Sequence, residues 1–292
     1  MGCQGLQFAL LAKRRGVKFD RTLTLGRQNH YVDDWWVRTL FHRFKVRISE
    51  TEVKRSVAQP FAEALLNALG ASLVDSMDAS AYEGATIIHD LNLPVSEALK
   101  QRYTCVMEYG TLEHVFNFPV ALKNTVDMIE VGGHLLVVTP ANNMMGHGFY
   151  QFSPELYYNF LLRNGFKDVE AYMIPYRWLP HIFRVAEPQD LRDRVELVNA
   201  EPMQLGVIAR KAKHIPEMVV PIQSDYRDLF WRGRERRQRS RLPPIEPQLA
   251  SALAELRKRI AALTEWPETL SPQLVAGFEN SVHYQMIDPA TD

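Results

Sequence analysis

Residues 103–139 read YTCVMEYGTLEHVFNFPVALKNTVDMIEVGGHLLVVT, and this stretch decides the fold class. YTCVME at 103–108 is a short apolar run, the composition of a strand covered on both faces. Pro119 opens a helical pattern over 119–129 that Gly132-Gly133 stops, and HLLVVT at 134–139 is a second strand rich in β-branched residues. Strand, helix and strand in this order make a parallel unit with the helix laid on one face.

The same rhythm runs outward in both directions. Upstream, the sequence predicts a helix over 5–15, closed by Lys13-Arg14-Arg15 and Gly16, and a strand at 21–25 ending at Gly26. A helix capped by Asp33 or Asp34, a helical stretch over 51–69, strands at 72–75 and 86–89, and a helix from Pro94 to about Gln101 follow. Downstream, Ser153 reads as the N-cap of a helix over 154–164, and strands are expected at 168–174 and 205–210. The last two strands lack a long periodic helix between them, so they read as a hairpin-like pair. The expectation is a Rossmann-like, doubly wound and mostly parallel seven-stranded α/β sheet. A helical insertion at about 45–70 would interrupt it.

The chain has 292 residues, is 46% apolar and balances 34 basic against 34 acidic side chains. That composition excludes a wholly disordered chain and a protein built to coat nucleic acid. No apolar run reaches the roughly 18 residues of a membrane span. Two cysteines, Cys3 and Cys105, cannot form a disulfide framework. Without a secretory signal pattern, the expected location is cytoplasmic. Beyond about residue 213 the α/β rhythm stops, so the chain divides into 1–212 and a C-terminal extension, 213–292. The extension holds an arginine-rich arm at 232–241 (RGRERRQRSR) and a helix at 247–263. Leu249, Leu253, Leu256, Ile260 and Leu263 form a narrow seam there that a partner helix or a second copy would cover. The last 25 or so residues are expected to drape over the surface or fray.

Four phrases in the α/β part carry a family likeness. They are Leu112-Glu113-His114-Val115 after a strand, the 119–139 helix–Gly-Gly–strand, Phe152-Ser153-Pro154-Glu155-Leu156 running to Asn164-Gly165-Phe166, and Asp78-Ala79-Ser80 ahead of Gly84-Ala85. By their order and spacing, residues 21–211 resemble the class I S-adenosylmethionine-dependent methyltransferases. The resemblance implies S-adenosylmethionine as cofactor and a small-molecule or saccharide acceptor, as in saccharide biosynthesis. On that template Gly26, Arg27 and Gln28 form the first turn, with Arg27 or Gln28 reaching the cofactor carboxylate. Asp78 takes the ribose, Asp90 the adenine, and Glu108 and Tyr109 the methionine portion. His114, Asn142, Asn143, His147 and Tyr150 would face the acceptor. Histidine suits a base near neutral pH, so His147 or His114 is the expected catalytic group. Glycine-flanked His147, followed by Phe149 and Tyr150, has the makeup of a closing loop.

The first turn departs from the family, with one glycine followed by bulky Arg27 and Gln28 and a long interval from Gly26 to Asp78. The alternative is therefore a catalytically inactive methyltransferase-like domain acting in assembly or regulation. A third reading has the arginine run binding an anionic polymer. The histidines are scattered, with no Cys-x-x-Cys or His-x-x-x-His spacing, so no metal site is expected from sequence.

Overall fold

A computed structural model describes residues 1–176, 181–191, 194–226 and 284–291. The arginine-rich arm and the helix expected at 247–263 lie outside the described residues.

The architecture is the doubly wound α/β sheet expected, with nine strands among the described residues rather than seven. The strands are β1 (Arg21–Leu25), β2 (Leu73–Asp78), β3 (Ile87–Ile88), β4 (Tyr103–Glu108), β5 (Ile129–Asn142), β6 (Phe166–Pro175), β7 (Ile182–Val185), β8 (Met203–Lys211) and β9 (Tyr284–Ile287). Their order across the sheet is β3-β2-β1-β4-β5-β8-β6-β7-β9. From β3 to β5 all neighbours are parallel, whereas β8 enters antiparallel between β5 and β6. The two extra strands are β7, from the segment between the expected final pair, and β9. The expectation that the chain's end only drapes over the surface is thus corrected for 284–287, which pair along β7.

Helices α1 (Cys3–Arg14), α2 (Asp34–Arg43), α3 (Glu50–Val57) and α4 (Glu63–Ala68) precede β2, and α5 (Phe118–Met128) and α6 (Pro154–Arg163) follow β4 and β5. Two cores form, one on each face of the sheet. Leu6, Leu10, Phe41 and Leu65 fill the first, while Leu122, Val126, Tyr157 and Leu161 fill the second. All of β4 is buried, which is why it reads as a continuous apolar run rather than an alternating one.

Local chemistry sets the helix ends. Asp33 Oδ1 accepts from the Trp36 N–H at 2.9 Å, and Ser49 with Glu52 closes a capping box on α3. Ser153 holds the N-cap position of α6 as expected, without a side-chain hydrogen bond. Two expectations are corrected. The stretch from Pro94 forms only a 3₁₀ turn at Glu97–Leu99, because the backbone turns extended at Lys100 and the Gln101 N–H donates to the Asp127 carbonyl at 2.8 Å instead of continuing a helix. Finally, α5 ends at Met128 and hands over directly to β5, so Gly132 and Gly133 lie within a strand. A Cβ on Gly133 would stand 2.9 Å from the Thr104 carbonyl oxygen and 3.0 Å from that of Tyr103, and the β4–β5 register shifts there.

Strand order places the functional edge. The chain leaves β1 towards β2 on one side and returns to β4 on the other, so the connections diverge between β1 and β4. A crevice opens at the carboxyl ends of strands at such a switch point.

At the far end of the sheet, Lys211 on β8 is buried, and its ammonium donates to the carbonyls of Val126 and Ile129, each at 2.7 Å. Burial holds its pKa down to about 8, below the ordinary 10.5. Between those values the unfolded chain keeps a proton that the folded chain has released. Stability should therefore rise with pH across this window, by at most about 1.4 kcal/mol per pH unit. Lys211→Met strands both carbonyls and should lose about 1–3 kcal/mol. Denaturant melts from pH 7 to 10 should show the gap to the parent protein widening above pH 8.

Candidate functional site

The crevice at the switch point is a cleft of about 540 Å³. That volume lies in the range of small-molecule sites. Its floor begins at Gly26, where β1 ends with φ at +68° and the Gly26 N–H donates to the Met77 carbonyl at 2.7 Å. A Cβ at Gly26 would stand 3.0 Å from Thr111 Oγ1, so the β1 turn and the loop after β4 close on each other here.

Gly26, Arg27, Gln28, Asp78, Asp90 and Tyr109 line the cleft, and His114 lines it too. Their bonding refines their roles. Arg27 donates to Glu63 Oε1 at 2.7 Å and to the Glu83 carbonyl at 2.7 Å, and its guanidinium lies 3.9 Å from the Phe61 ring centroid. Gln28 Nε2 donates to the Leu25 carbonyl at 3.0 Å. Both side chains expected to reach a cofactor carboxylate are thus held by the protein's own groups.

Asp78 closes β2, and its Oδ1 accepts from the Ser80 N–H at 3.0 Å. Asp90 Oδ1 accepts from the Asn92 backbone and side-chain amides at 2.9 and 2.8 Å, which hold its pKa below the usual carboxylate value. Each carboxylate is fixed through one oxygen, leaving the second for a ligand.

Glu108 is corrected: it is wholly buried and does not line the cleft. Its Oε1 accepts from three backbone N–H groups, those of Gly110 at 3.1 Å, Thr111 at 2.6 Å and Leu112 at 3.1 Å. Burial and the nearby Glu113 carboxyl nevertheless raise its pKa, outweighing those three bonds. The Tyr109 hydroxyl is buried without a hydrogen-bond partner, and its pKa is raised by that burial.

Asn142 and Asn143 lie outside the cleft lining, as do His147 and Tyr150. Asn142 Nδ2 donates to Asn199 Oδ1 at 2.8 Å, and Asn143 Nδ2 donates to the Asn199 and Glu201 carbonyls at 2.8 and 3.0 Å. They tie the end of β5 to the segment before β8. Tyr150 donates from its hydroxyl to the Phe116 carbonyl at 2.7 Å, beside an edge-to-face pair of the exposed rings of Phe116 and Phe149.

Sequence reading missed Glu113 as a site residue. Its side chain is fully buried next to His114 and His147, whose side chains are 53% and 44% exposed. Glu113 Oε1 lies 3.9 Å from His114 Nε2 and 3.7 Å from His147 Nε2, and it has no hydrogen-bond partner. Glu113 Oε2 accepts from Thr139 at 3.4 Å, and burial raises the pKa of the carboxyl. The loop bearing His147 docks on Glu113 by its backbone, through the Phe149 N–H at 2.8 Å from the Glu113 carbonyl oxygen. An acidic residue in a Leu-Glu-His run carries no sign of such burial, and His147 is distant in sequence.

No family model matches the chain, and no match is found among curated proteins. Solved structures do match. A SAM-dependent methyltransferase from Archaeoglobus fulgidus shares 12% identity over 70% of this chain and 94% of its own, with a TM-score of 0.37. A SAM-dependent methyltransferase from Thermotoga maritima shares 16% identity over 70% of this chain and 89% of its own, with a TM-score of 0.32. A branched-chain polyamine synthase mutein from Thermus thermophilus, in complex with N4-aminopropylspermidine and 5'-methylthioadenosine, shares 14% identity over 76% of this chain and 60% of its own, with a TM-score of 0.37. Among the described residues no helix is long and apolar enough to cross a membrane.

Gly148 tests the docking of the histidine loop. A Cβ there would stand 2.8 Å from the Glu113 carbonyl oxygen and 2.9 Å from its Cγ, and a backbone atom cannot swing aside. Gly148→Ala should therefore destabilise the protein by about 1–3 kcal/mol, read as a lowered thermal midpoint. A midpoint matching the parent's would show that the loop does not dock this way.

Proposed function

We infer that this protein transfers a methyl group from S-adenosylmethionine to a small-molecule or saccharide acceptor. The observation that carries this reading is the open cleft at the β1–β4 switch point, with Gly26 at its floor and Asp78 and Asp90 beside it. The residues present fit the cofactor. Asp78 has a carboxylate oxygen for ribose hydroxyls, and the Asp90–Asn92 turn suits an adenine edge. Gly26 and Gly110 let the backbone come close at the methionine end. When bound, S-adenosylmethionine supplies an electrophilic methyl carbon whose departing electron pair stays on sulfur.

The chain's own task is alignment, exclusion of water and removal of a proton. The exposed Phe116 and Phe149 rings offer apolar faces for an acceptor such as a sugar. As an acceptor oxygen bonds to the methyl carbon, its proton passes to Nδ1 of His147 or His114. The Nε2 of each ring faces Glu113 Oε1, whose charge would steady the imidazolium.

Calorimetry with S-adenosylhomocysteine tests the reading. The parent protein should bind with one site per chain. Asp78→Asn removes a charged acceptor worth about 1.5–3 kcal/mol, so affinity should fall about ten- to a hundredfold. No heat at millimolar ligand, from folded protein, would leave the assembly or regulatory alternative. Unchanged affinity in Asp78→Asn would remove the ribose role.

A further inference from the structure

We propose that Glu113, His114 and His147 form a binding site for a divalent transition-metal ion of the zinc class, with Glu113 Oε1 and the two Nε2 atoms as ligands. The inference goes beyond the methyl-transfer reading and does not depend on it. One potential ligand atom from each residue lies within 4.8 Å of those of the other two. Two imidazoles and one carboxylate are a donor set for zinc and its neighbours, and three protein ligands leave a coordination position open.

A second observation points to a cation. Glu113 is fully buried and its Oε1, on the side facing both rings, has no hydrogen-bond partner. Its other oxygen is already taken by Thr139. A buried carboxylate oxygen without a partner is costly, and a cation answers that cost directly. The two carboxylate–imidazole separations are 3.9 and 3.7 Å. Ligand atoms about 2.1 Å from a common tetrahedral ion stand roughly 3.4 Å apart, so each carboxylate–imidazole pair needs only a small contraction, while the two rings, whose ligand atoms lie within 4.8 Å, must draw together. The rings can supply this movement, being half-exposed, and His147 lies between Gly146 and Gly148. Glu113, held by Thr139 and by the docked loop, is the fixed point. His114 also lines the cleft, so the open coordination position of an ion here would be available to an oxygen ligand at the cleft's edge.

Zinc ion alone, titrated into metal-stripped protein against a chromophoric chelator, is the test. One ion should bind per chain, and the cobalt-loaded protein should show the visible absorption of a low-coordinate site. His114→Ala and His147→Ala, which alter half-exposed side chains, should keep the parent's thermal midpoint. Each should weaken zinc binding about a hundredfold or more, exceeding the typical loss from an outer-shell change. Absence of stoichiometric zinc uptake would overturn the proposal. Uptake undiminished in the double variant would overturn it equally, because the ion would then sit elsewhere. A parallel titration with S-adenosylhomocysteine separates the two readings: zinc uptake without nucleoside binding keeps the metal site and removes methyl transfer, and the reverse result does the opposite.

Discussion

One buried carboxylate organises the functional edge. Glu108, at the end of β4, gathers the N–H groups of Gly110, Thr111 and Leu112 on a single oxygen. These backbone donors would otherwise be left unpaired in a tight loop. Once fixed, the loop reaches in two directions. The Thr111 hydroxyl donates to the Leu25 carbonyl at 2.7 Å and so pins the end of β1, the floor of the cleft. Glu113, one short turn later, receives the loop that carries His147. The cleft and the histidine cluster are therefore two consequences of the same anchored turn.

The departure of the first turn from the glycine-rich pattern has a structural answer. A bulky Arg27 after Gly26 would fill the cleft if it pointed inward. Instead, the inserted helical stretch holds it. Glu63, at the start of α4, takes its Nε, Phe61 stacks beneath it, and the Glu83 carbonyl accepts from it on the other side. The backbone is laced in the same way, with His30 N–H to the Pro60 carbonyl at 2.7 Å and Ala62 N–H to the Gln28 carbonyl at 2.9 Å. The long interval between Gly26 and Asp78 and the missing glycines are thus linked. The extra chain holds the extra side chain against the wall of the crevice.

The sheet was legible where burial on both faces leaves apolar runs, as in β4 and the centre of β5, and where β1 alternates leucine with β-branched threonine. It was illegible in β7 and β9, four-residue strands at the sheet's far edge that pair with each other across a long stretch of sequence. The floor of the cleft was readable because the ends of β1 and β2 fix where Gly26 and Asp78 must lie. Glu108 was placed at the right strand end, yet three nearby donors turned it inward rather than towards the cleft. Asn142 and Asn143 looked available in a turn-rich segment, and Asn199 takes them up. The cluster of Glu113, His114 and His147 is a product of tertiary packing, which no local spacing encodes.

The most direct measurement is a crystal structure of the protein grown with S-adenosylhomocysteine. It should show the nucleoside in the cleft, its ribose hydroxyls on Asp78 and its adenine at the Asp90–Asn92 turn, with Arg27 still bound to Glu63. A cleft closed by Arg27, or a nucleoside seated away from Asp78, would contradict the account.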